Sequence, residues 1–110
     1  MKVSELITKL HLEVLNLSDG EKSVNGVYCG DLLSWVMGKL QQGNAWVTIM
    51  TNVNVVAVSS LADASCIIIS ENSEIEKEVI EKARLNDINL LRTKLSSFEI
   101  CCMLGEALNG

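Results

Sequence analysis

The sequence has no proline, and its aromatic residues are only two Trp, one Tyr and one Phe among 110 residues. A chain without proline favours regular helices and strands over an irregular, loop-rich scaffold. Charged residues make up only 21% and hydrophobic residues 48%, which excludes the composition of an intrinsically disordered chain. Nine Lys and Arg against fourteen Asp and Glu give a net charge of −5, without a basic cluster. We therefore expect no binding to nucleic acid.

The short motifs of common catalytic sites are also missing. The sequence has one histidine, His11, and neither a G-x-S-x-G nucleophile elbow nor a Gly-rich phosphate-binding pattern. No C-x-x-C pair occurs, so a zinc or iron–sulfur site lacks its usual ligand spacing. We predict no enzymatic activity, no metal site and no cofactor.

The four cysteines are expected to be mostly structural. Cys66 begins an apolar run, and Cys101 and Cys102 lie on a predicted helix facing the core, where free cysteine behaves as a small hydrophobe. Cys29, at the end of a predicted strand, is the one thiol whose exposure stays open, and a buried, inert thiol is the favoured interpretation because no Lys, Arg or His stands beside it in sequence. An iron–sulfur or thiol-redox role is an alternative that requires Cys29, Cys101 and Cys102 to converge. Neighbours on a helix point about 100° apart, which makes that convergence difficult.

Long apolar segments are absent. No run approaches the eighteen apolar residues that a membrane span requires. The N-terminal segment carries Glu5 and no extended apolar stretch, which is not typical of a secretion signal. We predict a cytoplasmic protein that does not bind membranes.

Hydrophobic periodicity predicts five helices and five strands in the order αββαβαβαβα. Apolar residues three and four apart begin at Val3, and residues 66–70 form the clearest buried strand. Ser73 and Ser96 each precede a Glu by three residues, the spacing of a capping box at a helix start. Strands alternating with helices favour right-handed βαβ crossovers. The prediction is one α/β domain over residues 1–110, a mainly parallel or mixed sheet of about five strands in a three-layer α/β/α arrangement.

Polar residues follow the predicted strands, where the carboxyl edge of a parallel sheet usually binds ligands. Helix N-termini at that edge offer unpaired N–H groups. The alternative is that these residues simply cap the helices that follow, each contributing ~1 kcal/mol: Asp31, Asn52 or Asn54, Ser73 and Ser96. Both interpretations stay open. The candidate ligand-binding residues are Gly30, Asp31, Thr51, Asn52, Asn54, Ser70, Glu71, Thr93 and Ser96.

Three large side chains suggest an interface. These are Trp35, Met37 and Trp46, in a chain whose hydrophobic fraction is high for so small a surface. Trp35 lies just off the apolar stripe predicted for the second helix. An interaction subunit, as a homodimer or as an adaptor on a redox enzyme, is therefore the alternative to a ligand-binding module.

Four blocks of the sequence resemble the DRTGG domain family: residues 24–33, 45–51, 66–70 and 88–99. The resemblance covers nearly the whole chain, and the family is similar to the N-terminal domain of HPr kinase/phosphorylase and to the middle domain of long phosphotransacetylases. Family members are generally attached to other domains, such as CBS pairs. The resemblance implies a non-enzymatic regulatory module that binds a small-molecule effector.

Two features of the resemblance refine this expectation. Stand-alone copies of this length resemble small proteins encoded beside iron-only hydrogenase and electron-transfer subunits, which implies an accessory role as the alternative. The letters Asp-Arg-Thr-Gly-Gly do not occur, and Ser70-Glu71-Asn72 stands in place of a Gly-Gly turn. Without those glycines the backbone approaches a phosphate less closely. Glu71 and the net charge of −5 also oppose an anion, so the sequence argues against adenine-nucleotide sensing.

Overall fold

Five helices and five strands alternate in the order predicted from the hydrophobic pattern. The computed structural model describes residues 1–109. In chain order the elements are α1 (Val3–Leu10), β1 (Glu13–Asn16), β2 (Gly26–Cys29), α2 (Leu33–Lys39), β3 (Asn44–Thr48), α3 (Asn54–Ala62), β4 (Cys66–Ile69), α4 (Lys77–Leu85), β5 (Leu90–Arg92) and α5 (Ser97–Asn109).

The strands form one mixed, mostly parallel sheet in the order β1-β5-β4-β3-β2. The four strands from β2 to β5 pair in parallel, and β1 pairs antiparallel with β5. Helices α2, α3 and α4 connect the parallel strands and cover one face, whereas α1 and α5 cover the other. The predicted three-layer α/β/α fold is confirmed. Within residues 1–109, no helix is long and apolar enough to span a membrane.

The central strand β4 shows why the sequence is so hydrophobic. All four of its residues are buried. Cys66 and Ile68 pack toward α1 and α5, while Ile67 and Ile69 pack toward the α2–α4 layer. A strand covered on both faces has no polar alternation, which is typical of parallel sheets between helices.

An ion pair fastens the antiparallel strand β1 to β5. Arg92 donates to both carboxylate oxygens of Glu13, with Nε–Oε1 and Nη2–Oε2 distances of 2.9 Å each. These hydrogen bonds lower the pKa of Glu13. Arg92 Nη1 also donates to the Ser73 carbonyl at 3.2 Å, which connects the same edge of the sheet to the segment before α4.

Two of the predicted helix caps are wrong. Helix α2 begins after Leu32, without a side-chain capping bond, so Asp31 does not cap it. Helix α4 begins only at Lys77, after Glu76 as its N-cap. The Ser73 hydroxyl instead donates to the Ser70 carbonyl at 3.1 Å, within the turn that follows β4.

The other two predicted helix starts agree better with the sequence. The Ser96 hydroxyl accepts from the Glu99 N–H, and the Ser96 N–H donates to Glu99 Oε1, both at 3.1 Å. These two bonds are the predicted capping box of α5. At α3, the N-cap is Val53 without a side-chain capping bond, and Asn52 Oδ1 instead accepts from the N–H of Asn54, the first residue of the helix, at 2.9 Å.

Candidate functional site

Asp31 joins the carboxyl ends of β2 and β3. Its Oδ1 accepts from the Thr48 hydroxyl at 2.8 Å and from the Ile49 N–H at 2.9 Å. Thr48 is fully buried, and its Oγ1 accepts from the Met50 N–H at 3.1 Å. The carboxylate therefore holds the loop after β3 in place.

Gly30 leaves space for the Tyr28 ring beside it. A Cβ at this position would lie 2.9 Å from Tyr28 Cε2, closer than real Cβ atoms approach. The Gly30 carbonyl accepts from Trp46 Nε1 at 2.9 Å, and its N–H donates to the Val47 carbonyl at 3.1 Å. These contacts give Gly30 a structural role at the end of β2.

Hydroxyl groups connect the loops after β4 and β5. Ser70 is fully buried, and its Oγ lies 2.6 Å from Ser97 Oγ at the start of α5. Thr93 is also buried, and its Oγ1 accepts from the Leu95 N–H at 3.2 Å. Both predicted site residues thus make internal hydrogen bonds.

The turn after β4 is built from two consecutive left-handed residues. Glu71 and Asn72 have φ values of 61° and 51°. Their N–H groups donate to the Leu95 and Thr93 carbonyls, each at 2.8 Å, so the turn is tied to the loop after β5. Glycine adopts this conformation without steric cost, whereas a residue with a Cβ, such as glutamate, adopts it only with backbone strain.

Replacing Glu71 with glycine is expected to raise the free energy of unfolding by about 0.5–1 kcal/mol, because the backbone strain at φ 61° is removed. Glu71→Ala is the matched control, since it removes the carboxylate but keeps the strain. Urea unfolding followed by circular dichroism measures both variants. An alanine variant as stable as the glycine variant would contradict this explanation.

An open cleft of about 430 Å³ lies at this edge, between the loop that precedes α3 and the start of α4. Thr51 and Asn52 are the only two predicted site residues among those that line it. The others include three acidic residues that the sequence analysis did not select. These are Glu74, Glu76 and Glu78.

The late start of α4 brings these carboxylates into the cleft. Glu76 has an extended backbone, with φ −77° and ψ 153°, and Glu74 lies two residues before it. Residues two apart in an extended segment point to the same side. Glu78 follows in the first turn of α4, where a carboxylate is favoured by the helix dipole. The spacing of Glu at every second position is the sequence signal for carboxylates on one side of an extended segment. The prediction of a helix from Ser73 concealed it.

The cleft is acidic but does not form a metal site of recognised type. Across the described part of the chain, no group of three or more His, Cys, Asp or Glu side chains is arranged to hold a metal ion. Glu71 lies outside the cleft lining. The negative charge that an incoming ligand meets therefore comes from the segment leading into α4.

The predicted interface residues do not lie on one surface. Trp46 is fully buried, so its assignment to an interface is corrected. Trp35 and Met37 are 61% and 60% exposed, but residues two apart on a helix point about 200° apart. Leu32, three residues before Trp35, is 63% exposed. Lys39 Nζ lies 5.8 Å from the centre of the Trp35 ring, a cation–π distance.

The cysteines have very different surroundings. Cys66 is buried, as predicted, and burial raises the pKa of its thiol to about 12. Cys29 is exposed, which settles the question that the sequence left open against the favoured buried thiol, and Cys101 is half-buried. Cys102 is exposed, so the prediction that it packs in the core is wrong. The side chain of Cys102 falls on the outer side of α5 because neighbouring helical residues diverge by about 100°.

The DRTGG domain family matches residues 5–107. A solved structure of the CBS and DRTGG domains of the regulatory region of Clostridium perfringens pyrophosphatase, complexed with the activator diadenosine tetraphosphate, has a similar fold. The TM-score is 0.69 and the sequence identity 18%, over 89% of this chain and 43% of that chain. No curated protein sequence matches.

The similarity to the pyrophosphatase region concerns the fold, and the present chain spans less than half of that solved chain. The family match, in contrast, extends over almost every element, from within α1 to the last turn of α5. This chain belongs to the DRTGG domain family.

Proposed function

We propose that this DRTGG domain, taken as one unit over residues 1–110, is a non-enzymatic regulatory module that binds a small ligand at the carboxyl edge of its sheet. The observation that carries the proposal is the cleft of about 430 Å³ between α3 and α4. Its volume is within the range of about 300–1,000 Å³ typical of small-molecule sites. The regulatory region of the pyrophosphatase with this fold is complexed with a nucleotide activator, which supports a ligand-dependent role.

The lining of the cleft indicates the chemistry of the ligand. It includes Glu74, Glu76 and Glu78, and no Lys or Arg is among the lining residues. Carboxylates accept hydrogen bonds and attract cations, so amine and hydroxyl groups complement this surface. A phosphate would be repelled. We therefore propose a small neutral or cationic ligand that carries amine or hydroxyl donors, rather than a nucleotide.

A thermal-shift screen with three ligand classes tests this proposal. The classes are amines and polyols, adenine nucleotides including diadenosine tetraphosphate, and sugar or acyl phosphates. A compound from the first class is expected to raise the melting temperature, since saturation at a hundredfold Kd stabilises a domain by about 2.7 kcal/mol. A shift with nucleotides alone would contradict the electrostatic argument, and no shift with any class would contradict ligand binding.

A pair of charge-matched variants locates the site. Glu78→Gln is expected to weaken binding of the compound found in the screen about tenfold, as the loss of one charge-assisted hydrogen bond. Glu106→Gln removes the same charge from α5, on the other face of the sheet, and should leave the affinity unchanged. Equal effects in isothermal titration would show that net charge matters and that the cleft does not.

The second candidate function is a homodimeric interaction module. The exposed side chains of Leu32 and Trp35 favour it, because they lie at the start of α2, directly after the edge strand β2. The edge strand β2 has no charged residue between Gly26 and Cys29, although edge strands commonly carry one that opposes pairing with another chain. An accessory role beside an iron-only hydrogenase, like a cytoplasmic location, stays a prediction.

Trp35→Glu is expected to convert a wild-type dimer to a monomer, because it places a charge in the apolar contact. Met37→Glu is the control on the other side of α2 and should leave the dimer intact. Size-exclusion chromatography with light scattering measures both. A monomeric wild-type protein, or a dimeric Trp35→Glu variant, would rule this interface out.

A further inference from the structure

Strand β2 and helix α5 bring two cysteines toward each other. Val27 of β2 and Cys101 and Leu108 of α5 are partly buried and pack against the same core cluster. Side chains two residues apart on a strand point to the same face of the sheet. Cys29, the last residue of β2, therefore points to the α5 layer, as Val27 does.

The register of the two elements places Cys29 beside Cys101. Val27 and Gly105 line the same groove along the edge of the sheet. From Val27 to Cys29 the strand advances about 6.6 Å toward the carboxyl edge. Helix α5 starts at that edge and runs back, so Cys101, four residues before Gly105, lies about 6 Å nearer to the edge. The two distances along the sheet are nearly equal, so Cys29 and Cys101 lie at the same level.

The two thiols differ in their access to solvent. Cys29 is exposed and Cys101 half-buried. Burial, followed by the neighbouring Cys29 thiol, raises the pKa of Cys101 to about 12. Cys101 is therefore protonated at neutral pH, and an oxidant in solution reaches Cys29 first.

We propose that Cys29 and Cys101 form a reversible disulfide that links the edge strand β2 to α5. With a small-molecule disulfide such as oxidised glutathione, the Cys29 thiolate attacks one sulfur and releases one glutathione thiolate. Cys101 then loses its proton to solvent, and its sulfur displaces the second glutathione from Cys29. Two protein thiols are oxidised and one glutathione disulfide is reduced to two thiols. Excess dithiothreitol reverses the reaction.

The cysteine pair is separate from the proposed ligand site, because it lies on the other face of the sheet from the α3–α4 cleft. The disulfide would nevertheless affect the carboxyl edge, since Cys29 immediately precedes Gly30, which accepts from Trp46 of β3, and Asp31, which holds the loop after β3. The disulfide would close a long loop between β2 and α5, and closure of long loops stabilises a native state strongly.

Peptide mapping of the folded 110-residue chain tests the proposal. The folded protein is incubated with oxidised glutathione, alkylated and cleaved with trypsin, which separates Cys29 in residues 23–39 from Cys66 in residues 40–77 and from the other two cysteines in residues 95–110. The expected product is the first peptide linked to the last, lighter than their sum by two hydrogen atoms. Its formation should raise the melting temperature by about 5 °C or more, and dithiothreitol should reverse both changes.

Variants of the two adjacent helix cysteines assign the partner. Cys102→Ser should retain the cross-link and the thermal shift, whereas Cys101→Ser and Cys101→Ala should lose both, with circular dichroism confirming that each variant folds. The alanine variant covers the case in which a serine at the half-buried position unfolds the domain. A cross-link that survives in a folded Cys101 variant, or no cross-link in the wild type, would overturn the proposal.

Discussion

Replacing Asn89 with alanine is expected to lower the free energy of unfolding by about 3 kcal/mol, because it leaves several buried partners unpaired. Asn89 is 2% exposed and lies just before β5. Its Oδ1 accepts from the N–H groups of Ser18 and Asp19, both at 2.9 Å. Its Nδ2 donates to the carbonyls of Asp19 at 2.7 Å and Ser65 at 2.9 Å. One amide thus holds the turn after β1 against the start of β4.

Two further asparagine variants separate the causes of this loss. Asn89→Asp keeps the shape and the acceptor but removes both donors, so it should destabilise the fold nearly as much as alanine does. Asn54→Ala, at an exposed position of α3, should change the free energy of unfolding by less than about 0.5 kcal/mol. Urea titration followed by circular dichroism gives all three values. A loss below about 1 kcal/mol in Asn89→Ala would contradict the role of this amide.

Replacing Trp46 with alanine is expected to cost about 4 kcal/mol, the loss typical of removing a large buried aromatic side chain. Trp46 is fully buried in the layer between the sheet and helices α2–α4. Its Nε1 donates to the Gly30 carbonyl at 2.9 Å, so alanine also leaves that carbonyl without its partner. The cavity and the lost hydrogen bond act on the same end of β2.

Phenylalanine variants distinguish these two contributions. Trp46→Phe keeps most of the apolar surface and loses the hydrogen bond, with an expected cost of about 1–2 kcal/mol. Trp35→Phe should cost less than about 0.5 kcal/mol, because Trp35 is 61% exposed. Fluorescence provides an independent check, since Trp46→Phe leaves only the exposed indole and should shift emission to longer wavelength. A red shift in Trp35→Phe instead would reverse the two assignments of burial.

The positions of the polar residues in the candidate site were predictable from the sequence, but the hydrogen bonds between them were not. Because parallel strands share one carboxyl edge, the sequence correctly predicted that Asp31, Thr51, Ser70 and Thr93 follow strands at that edge. Local sequence does not show which of these polar groups bond to each other. The bonds from Thr48 to Asp31 and from Ser70 to Ser97 join residues that are distant in the chain.

The acidic lining of the cleft was missed because of a local conflict. Ser73 and Glu76 have the spacing of a capping box, which predicts that the helix begins there. The left-handed pair Glu71 and Asn72 instead bonds to the loop after β5 and delays α4 until Lys77. A tertiary contact therefore overrode a helix-start pattern, and it turned the glutamates toward the cleft.

The sequence by itself determined the α/β class, the order of all ten elements and the burial of β4 on both faces. These properties follow from hydrophobic periodicity and chain order, which are local. Only the tertiary structure decided that β1 runs antiparallel beside β5 and that Trp46 is buried while Trp35 is exposed. Each of these depends on contacts between residues far apart in the chain. Their energies come from packing and hydrogen bonds that form only when the layers assemble.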